Sequence, residues 1–252
     1  MRALILGIGD AFTTRGFGTS ALIEGPSGRL LLDCPDLIHR ALHEASDAAG
    51  WDVDCRSFDD VFLTHLHGDH CNGLESLGFK RLVYRMRGDH DTRPRLHTHT
   101  EAADRVWERL APAMDAPFLR PDQPSTLDDF YELHARPIGE RFEVCGLTIE
   151  TRRTVHPLPT VGLKISDGAR SLGWSGDTAY DPDHIAWLSD CDVIVHETNL
   201  GPAHTNVELL NALPEHIRAK MRLTHIIDEF DPASSDIPVL REGEVLEFGG
   251  HE

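Results

Sequence analysis

The sequence predicts an α/β fold in four layers, with two mixed β-sheets in the middle and helices on the outside. The chain has 252 residues, of which 40% are apolar, enough for one large domain with a sizeable core. Its second half repeats the order of the first half: strands, then polar residues at strand ends, then a helix. Because no linker or low-complexity segment interrupts the chain, we expect a single domain over residues 1–252.

Short apolar runs separated by glycine-rich turns open the first half. Runs at 20–24 and 29–33 flank a Gly-Pro-Ser-Gly turn, which predicts a β-hairpin. An apolar stripe at helical spacing predicts a helix over 37–48. A short buried strand is expected over 60–64, and it leads directly into a cluster of histidines.

The second half of the chain returns to short strands after one more helix. That helix is predicted over 100–111, where Thr98 and Glu101 have the spacing of a capping box. Several prolines beginning at Pro112 then predict a loop. The later elements are expected to be strands at 141–144, 147–152, 161–165 and 171–174, a helix near 183–189 and a strand at 193–195.

Charge and cysteine content exclude several classes of protein. The 42 acidic and 24 basic residues give a net charge of −18, which repels phosphate backbones and anionic lipid. A large nucleic acid or a membrane is therefore not an expected partner. The sequence has no apolar run of membrane-spanning length and no cleavable signal pattern, so a cytoplasmic location is expected. The five scattered cysteines include no Cys-x-x-Cys pair, which argues against a disulfide framework or a thiolate zinc site.

The strongest chemical signal is the segment from His65 to His70, which also contains His67 and Asp69. Three imidazoles and one carboxylate within six residues carry a large desolvation cost unless a cation lies among them. A solvated histidine-rich loop is the alternative. Gly68 and the preceding apolar strand argue against it, because they indicate a tight and structured turn.

This segment resembles the metal-binding signature of the metallo-β-lactamase superfamily of dinuclear hydrolases. His156 after a strand, Asp177 in a Gly-Asp pair and His225 after a late strand match the rest of the family pattern. The resemblance covers nearly the whole chain and implies the αββα sandwich of that family. It also implies two divalent metal ions, one held by His65, His67 and His156, the other by Asp69, His70 and His225, with Asp177 as the bridge.

Imidazole and carboxylate ligands suit zinc first, with manganese or iron as alternatives. Two such ions hold a hydroxide that is nucleophilic near neutral pH. The resemblance places Asp69 where it can orient this hydroxide or accept its proton.

A finer resemblance, to the ribonuclease Z and small phosphodiesterase branch, rests on two short motifs. They are Val195-His196-Glu197-Thr198 and Ala203-His204-Thr205. In that branch the glutamate and the second histidine pair to hold a proton donor over the leaving oxygen, a role that falls here to Glu197 and His204. The alternative is that these two residues support the ligands or lie at the surface.

The long basic arm of ribonuclease Z has no counterpart here, because His156 and Asp177 are only 21 residues apart. Without that arm, and with its acidic charge, the chain is expected to hydrolyse a small or cyclic phosphodiester rather than pre-tRNA. The substrate is then a small anion, and a homodimer is left open.

Two other functions share parts of this pattern. A thioester or lactone hydrolase of the glyoxalase II or acyl-homoserine lactonase kind uses the same seven ligands but does not require the Glu197–His204 pair. A metal-bearing sensor without turnover is the other alternative. Residues 80–99 carry a local charge of +4 and offer an anion site, unless their arginines pair with the surplus acids.

Overall fold

Two β-sheets pack face to face with helices outside each of them, in a computed structural model that describes residues 1–117 and 119–248. The four-layer α/β arrangement predicted from the sequence is confirmed. The single domain expected over 1–252 also includes Phe118 and residues 249–252, which lie outside the described residues.

The first sheet contains seven strands within the described residues. They are β1 (Arg2–Gly7), β2 (Ser20–Gly25), β3 (Gly28–Leu32), β4 (Asp60–Leu63), β5 (Arg95–His99), β6 (Glu132–Arg136) and β13 (Val245–Glu247). Their order in the sheet is β13-β1-β2-β3-β4-β5-β6. The strands from β13 to β3 pair antiparallel, and those from β3 to β6 pair parallel. The predicted hairpin is β2–β3, with Gly25 opposite Gly28.

The second sheet contains six strands within the same ranges. They are β7 (Arg141–Val144), β8 (Leu147–Arg153), β9 (Val161–Ser166), β10 (Ser171–Trp174), β11 (Val193–Glu197) and β12 (Met221–Thr224). Strands β7 to β10 form an antiparallel meander, and β10, β11 and β12 pair parallel. Strands β8, β10, β11 and β12 therefore run in the same direction, so their C-terminal ends lie at one edge of the sheet.

The helices of the described residues lie mainly on the outer faces of the two sheets, apart from one short helix that follows β4 at an edge of the sandwich. They are α1 (Ile38–Ala49), α2 (Gly68–Cys71), α3 (Gly73–Arg87), α4 (Thr100–Met114), α5 (Leu127–Phe130), α6 (Pro182–Leu188), α7 (Val207–Asn211) and α8 (Glu215–Arg218). A 3₁₀ turn follows at Pro232–Ser234. The described helices include none with the length and apolar character that a bilayer-spanning segment needs.

Among the described residues, three separate apolar cores occupy the three spaces between the four layers. Strand β1 shows the pattern: Leu4 and Leu6 belong to the core under α1 and α3, whereas Ala3 and Ile5 belong to the core between the sheets. Successive side chains of a strand point to opposite faces, so both faces of β1 are apolar and buried. The third core lies between the second sheet and helices α6 and α7.

Helix α4 corrects two predictions. Thr98 does not cap it, because Thr98 lies in β5 and donates a hydrogen bond to the Leu63 carbonyl. The N-cap is His99, whose Nδ1 accepts from the Ala102 backbone N–H at 3.4 Å. The helix also continues through Pro112 to Met114, since its buried face, which includes Met114, holds the last turn in place.

The arginine-rich segment 80–99 makes structural contacts. Arg81 is fully buried and donates to the carbonyls of Cys55 and Phe58 and to Asp59. Arg95 donates to the Asp60 carboxylate at 2.7 Å. Asp60 is the first residue of β4, at the opposite end of that strand from the histidine cluster. For Arg81 and Arg95 the structure thus contains the pairing with acids that was given above as the alternative, whereas Arg85 and Arg93 donate to the backbone carbonyls of Asp129 and Asp128.

We predict that Arg81→Met lowers the free energy of unfolding by about 3 kcal/mol, because it leaves the two carbonyls and Asp59 without their cationic partner. Urea unfolding followed by circular dichroism measures the change. Arg87→Met is the matched control, since Arg87 lies on the same helix and is exposed. Equal effects of the two substitutions would contradict the structural role of Arg81.

Candidate metal centre and active site

All seven predicted metal ligands lie at or just beyond the C-terminal ends of strands, on one edge of the sandwich. His65 and His67 follow β4, and Asp69 and His70 lie on α2 directly after them. His156, Asp177 and His225 follow β8, β10 and β12. The shared direction of these strands brings residues from distant parts of the sequence to the same place.

The first cluster consists of His65, His67 and His156 beside Asp177. His65 Nε2 and His156 Nε2 each lie 3.0 Å from His67 Nδ1. Asp177 Oδ2 lies 3.6 Å from His65 Nε2 and 3.8 Å from His156 Nε2. Around a tetrahedral zinc ion with bonds of about 2.0–2.1 Å, neighbouring ligand atoms lie roughly 3.3 Å apart. The four side chains therefore have the spacing of ligands around one small cation.

The second cluster consists of Asp69, His70 and His225, again beside Asp177. His225 Nε2 lies 3.2 Å from Asp69 Oδ2 and 3.5 Å from Asp177 Oδ2. His70 Nε2 lies 3.4 Å from Asp69 Oδ2 and 3.3 Å from Asp177 Oδ1. The Asp177 carboxylate thus lies between the two clusters, in the position that the resemblance gives to a bridging ligand.

Steric constraints require a glycine at position 176, directly before Asp177. Gly176 has φ of +59°, a conformation that L side chains rarely adopt. A Cβ atom at this position would lie 2.5 Å from the carbonyl oxygen of Val161. Only glycine lets the chain turn here closely enough against β9 to place Asp177 between the clusters. This accounts for the Gly-Asp pair that the sequence contains.

Asp33 positions His70, and sequence reasoning missed it. Its carboxylate accepts a hydrogen bond from His70 Nδ1 at 2.9 Å and others from the backbone N–H and the hydroxyl of Thr64. Asp33 is fully buried at the end of β3, beside β4. The available signal was an acidic residue directly after an apolar strand, and it gains meaning only once β3 is known to pair with β4.

Other polar contacts orient the remaining rings. His156 Nδ1 donates to the Ala203 carbonyl at 3.2 Å. Asn199 donates to the backbone carbonyl of His225 and to Asp10. His225 itself has φ of +56°, so its backbone is in the left-handed region. The His156 contact fixes which nitrogen of that ring faces the cluster, and the Asn199 contact holds the backbone of His225.

The residues present fit a pair of divalent cations. His70 Nε2 is buried and, within the described residues, has no hydrogen-bond partner, so it is available as a ligand atom. Burial lowers the pKa of His65, and it lowers the pKa of His156 to about 4. Both rings are therefore neutral at pH 7, which is the form that binds metal.

Electrostatics in the second cluster favour positive charge. Burial opposes protonation of His225, but the Asp177 carboxylate and the hydrogen bond to Asp69 outweigh it and raise the pKa to about 9. The pKa of His70 is likewise raised, against the effect of burial, by Asp177 and Asp33. Three buried or nearly buried carboxylates surround these two rings, and a divalent cation is one species that compensates their charge.

Glu197 and His204 are brought together as the resemblance implies. His204 Nδ1 donates to Glu197 Oε1 at 2.9 Å, and the backbone N–H of Thr178 donates to the same oxygen at 2.8 Å. Glu197 is buried, whereas the His204 side chain keeps 20% of its surface exposed. The His204 ring lies 5.4 Å from the ring of His156 and 5.2 Å from that of His225. It therefore faces both clusters from their open side.

Comparison with known proteins identifies the family. A model of the Anti-Pycsar protein Apyc1 family matches residues 1–243. The chain belongs to this family. It is 28% identical over 257 residues to the Anti-Pycsar protein Apyc1 of Paenibacillus sp. (strain J14), covering 97% of this chain and 98% of that one.

Two further relatives of this Apyc1-family chain are informative. It is 27% identical over 224 residues to the cGMP-dependent 3′,5′-cGMP phosphodiesterase A of Dictyostelium discoideum, covering 82% of this chain and 24% of that protein. The crystal structure of the metallo-beta-lactamase fold protein YhfI from Bacillus subtilis superposes with a TM-score of 0.80 at 18% identity, covering 97% and 98% of the two chains. The fold is therefore that of the metallo-β-lactamases, and the chain is a metal-dependent hydrolase that uses divalent ions.

We predict that Asp33→Ala in this Apyc1-family chain weakens binding of divalent zinc by about 10- to 100-fold, because the His70 ring loses the group that orients it. Competition against a chromogenic chelator measures the affinity. Asp47→Ala, which removes an exposed carboxylate from α1, is the control and should leave the affinity unchanged. Unaltered zinc affinity in Asp33→Ala would show that His70 needs no such support.

Proposed function

We propose that this protein is a dinuclear phosphodiesterase that hydrolyses 3′,5′-cyclic nucleotides, with zinc as the first candidate for both ions. The observation that carries the proposal is the hydrogen bond of 2.9 Å between His204 and the buried Glu197, beside both ligand clusters. Relatives named as 3′,5′-cGMP and 3′,5′-cAMP/cGMP phosphodiesterases of Dictyostelium discoideum support the choice of substrate.

The two ligand clusters would bind the ions that activate the attacking water and hold the phosphoryl group of the substrate. When bound, a pair of divalent ions supplies an acidified water as nucleophile and neutralises charge on the phosphoryl group. Asp69, whose side chain is 12% exposed, would orient the attacking water or accept a proton from it. The predicted metal-ligand atoms are all nitrogen or oxygen, which suits zinc, with manganese and iron as the alternatives.

His204 acts on the leaving oxygen. Opening a 3′,5′-cyclic phosphodiester expels a ribose alkoxide, which is a poor leaving group unless it is protonated. The Glu197 carboxylate outweighs the effect of burial and raises the pKa of His204, which favours the protonated ring. With Nδ1 donating to Glu197, the Nε2–H of His204 remains to protonate the departing oxygen as a general acid.

The other functions fit less well. Hydrolysis of a thioester or a lactone by the same seven ligands does not require a buried glutamate paired with a histidine. A sensor without turnover has no use for a proton donor beside the clusters.

Pre-tRNA is disfavoured as a substrate because the segment between His156 and Asp177 contains only the β9–β10 hairpin, and because the chain carries a net charge of −18. The single domain over 1–252 and the cytoplasmic location stay predictions, and the oligomeric state stays open.

Metal content tests the dinuclear site. Elemental analysis of zinc-saturated protein should give two ions per chain, since the two clusters share only Asp177. His65→Ala should lose about one of the two ions and lower the melting temperature, because Asp177 is left less compensated. The exposed His216→Ala serves as the control. A saturated wild type with only one ion would contradict a dinuclear centre.

A comparison of two substrates with different leaving groups tests the role of His204. We expect His204→Ala to lower kcat for a 3′,5′-cyclic nucleotide by about 100-fold or more, because the ribose alkoxide needs a proton. The same variant should keep most of its activity on a 4-nitrophenyl phosphodiester, since 4-nitrophenolate leaves without help. Both ions should remain bound, which elemental analysis checks.

Three outcomes would go against the assignment. Equal losses on both substrates with both ions retained would mean that His204 positions the substrate rather than donating a proton. Loss of an ion would make His204 a ligand. A wild type that hydrolyses a lactone or a thioester, but neither phosphodiester, would rule out the phosphodiesterase.

A further inference from the structure

The proton donor of the proposed reaction lies on a loop that is largely open to solvent. Residues 198–206 join β11 to α7 and include His204. Leu200 in this loop is 63% exposed, and within 198–206 only Thr198 and Thr205 are buried. An exposed loop is mobile unless its backbone is tied down, whereas a proton donor works only when it is held close to its oxygen. The contacts of the two buried threonines are therefore the ones that can fix His204.

The hydroxyl of Thr205 ties this loop to the segment after β10. It donates to the backbone carbonyl of Thr178 at 2.9 Å. The backbone N–H of the same Thr178 donates to Glu197 Oε1 at 2.8 Å, and His204 Nδ1 donates to that oxygen at 2.9 Å. Because His204 and Thr205 are adjacent in the chain, these three hydrogen bonds form a closed circuit. Each member of the circuit thus constrains the position of the His204 ring.

The backbone of Thr205 is held from its other side as well. Its carbonyl accepts a hydrogen bond from the Thr198 hydroxyl at 3.0 Å and another from the backbone N–H of Asn199 at 3.1 Å. These two bonds join the two ends of the loop to each other. The Thr205 hydroxyl is then the contact that sets the closed loop relative to Glu197 and the ligand clusters.

Water cannot easily replace this contact. Thr205 is fully buried and Thr178 is 1% exposed, so removal of the hydroxyl leaves a buried carbonyl without its donor. The loop also reaches the first cluster, because the Ala203 carbonyl accepts from His156 Nδ1 at 3.2 Å. A displaced loop could therefore act through either histidine, and the test has to tell His204 from His156.

We propose that Thr205 is a positioning residue of the reaction: through the Thr178 peptide and Glu197, its hydroxyl holds the His204 ring beside the leaving oxygen. The inference rests on the proposed function, in which His204 protonates that oxygen. Thr205 acts only through His204, since its own hydroxyl proton is committed to the Thr178 carbonyl. Without this anchor the ring spends less time within hydrogen-bond reach of the oxygen, and proton transfer slows.

Thr205→Val tests the proposal, because valine is also β-branched and lacks only the hydroxyl. We expect kcat for a 3′,5′-cyclic nucleotide to fall about tenfold, with KM changed by less than about twofold. Activity on a 4-nitrophenyl phosphodiester should be kept, since its leaving group needs no proton. Thr205→Ser should restore most of the loss, and Thr205→Ala should reproduce it. Elemental analysis should find both ions retained, which separates an effect through His204 from one through His156.

A double variant and a matched control exclude a merely structural role. In a His204→Ala background, Thr205→Val should cause no further loss of kcat, because the ring through which the hydroxyl acts is gone. Thr98→Val removes a hydroxyl that is likewise fully buried and donates to a backbone carbonyl, that of Leu63, at 2.8 Å. This control should change activity on the two substrates by the same factor.

Hydrogen exchange separates the anchor from the catalytic proposal. Mass spectrometry should show amides of 198–206 exchanging about tenfold faster in Thr205→Val than in the wild type or Thr205→Ser, whatever the turnover. A wild type that hydrolyses neither phosphodiester would refute the proposed function, and the exchange result would still show that Thr205 anchors the loop. Equal losses on both substrates, a further loss in the His204→Ala background, a lost ion or unchanged exchange would overturn the role of Thr205.

Discussion

The buried carboxylate of Asp177 is the group on which the rest of the site depends. It is 2% exposed and lies between 3.3 and 3.8 Å from the imidazoles of four histidines. A buried charge is costly unless it is compensated, so these rings and any cations among them are coupled to one another through it. Gly176 puts it there by a left-handed turn against β9. Folding of the second sheet and assembly of the metal centre are thus linked.

Strand direction explains why distant residues meet at this carboxylate. Strands β10, β11 and β12 are parallel to one another. Strand β8 is separated from β10 by the antiparallel strand β9, so it runs in the same direction as β10. Their C-terminal ends therefore deliver Asp177, Glu197, His225 and His156 to one edge. The first sheet contributes the remaining ligands from the end of β4. The apolar core between the sheets fixes the distance between the two groups, so packing far from the metals controls their geometry.

Local features were predictable from the sequence, and contacts made by folding were not. The hairpin β2–β3 and the His65–His70 segment depend on adjacent residues, and a resemblance supplied the distant ligands. Asp33 acts through Thr64 and His70, which lie 31 and 37 residues further along the chain, so no local pattern marks it. The break predicted at Pro112 was wrong because a proline near the end of a helix removes one hydrogen bond, which burial of Met114 offsets.

An acidic chain with an anionic substrate presents no contradiction once distance is considered. At physiological ionic strength, charges separated by more than about 8 Å are largely screened. The proposed substrate, a small cyclic phosphodiester at the clusters, would therefore experience mainly the bound divalent ions and His204, whose pKa the Glu197 carboxylate raises. A long polyanion would also cross the outer surface, where the excess of acids that gives −18 repels it. The same charge distribution is thus compatible with the proposed small phosphodiester and unfavourable for a nucleic acid.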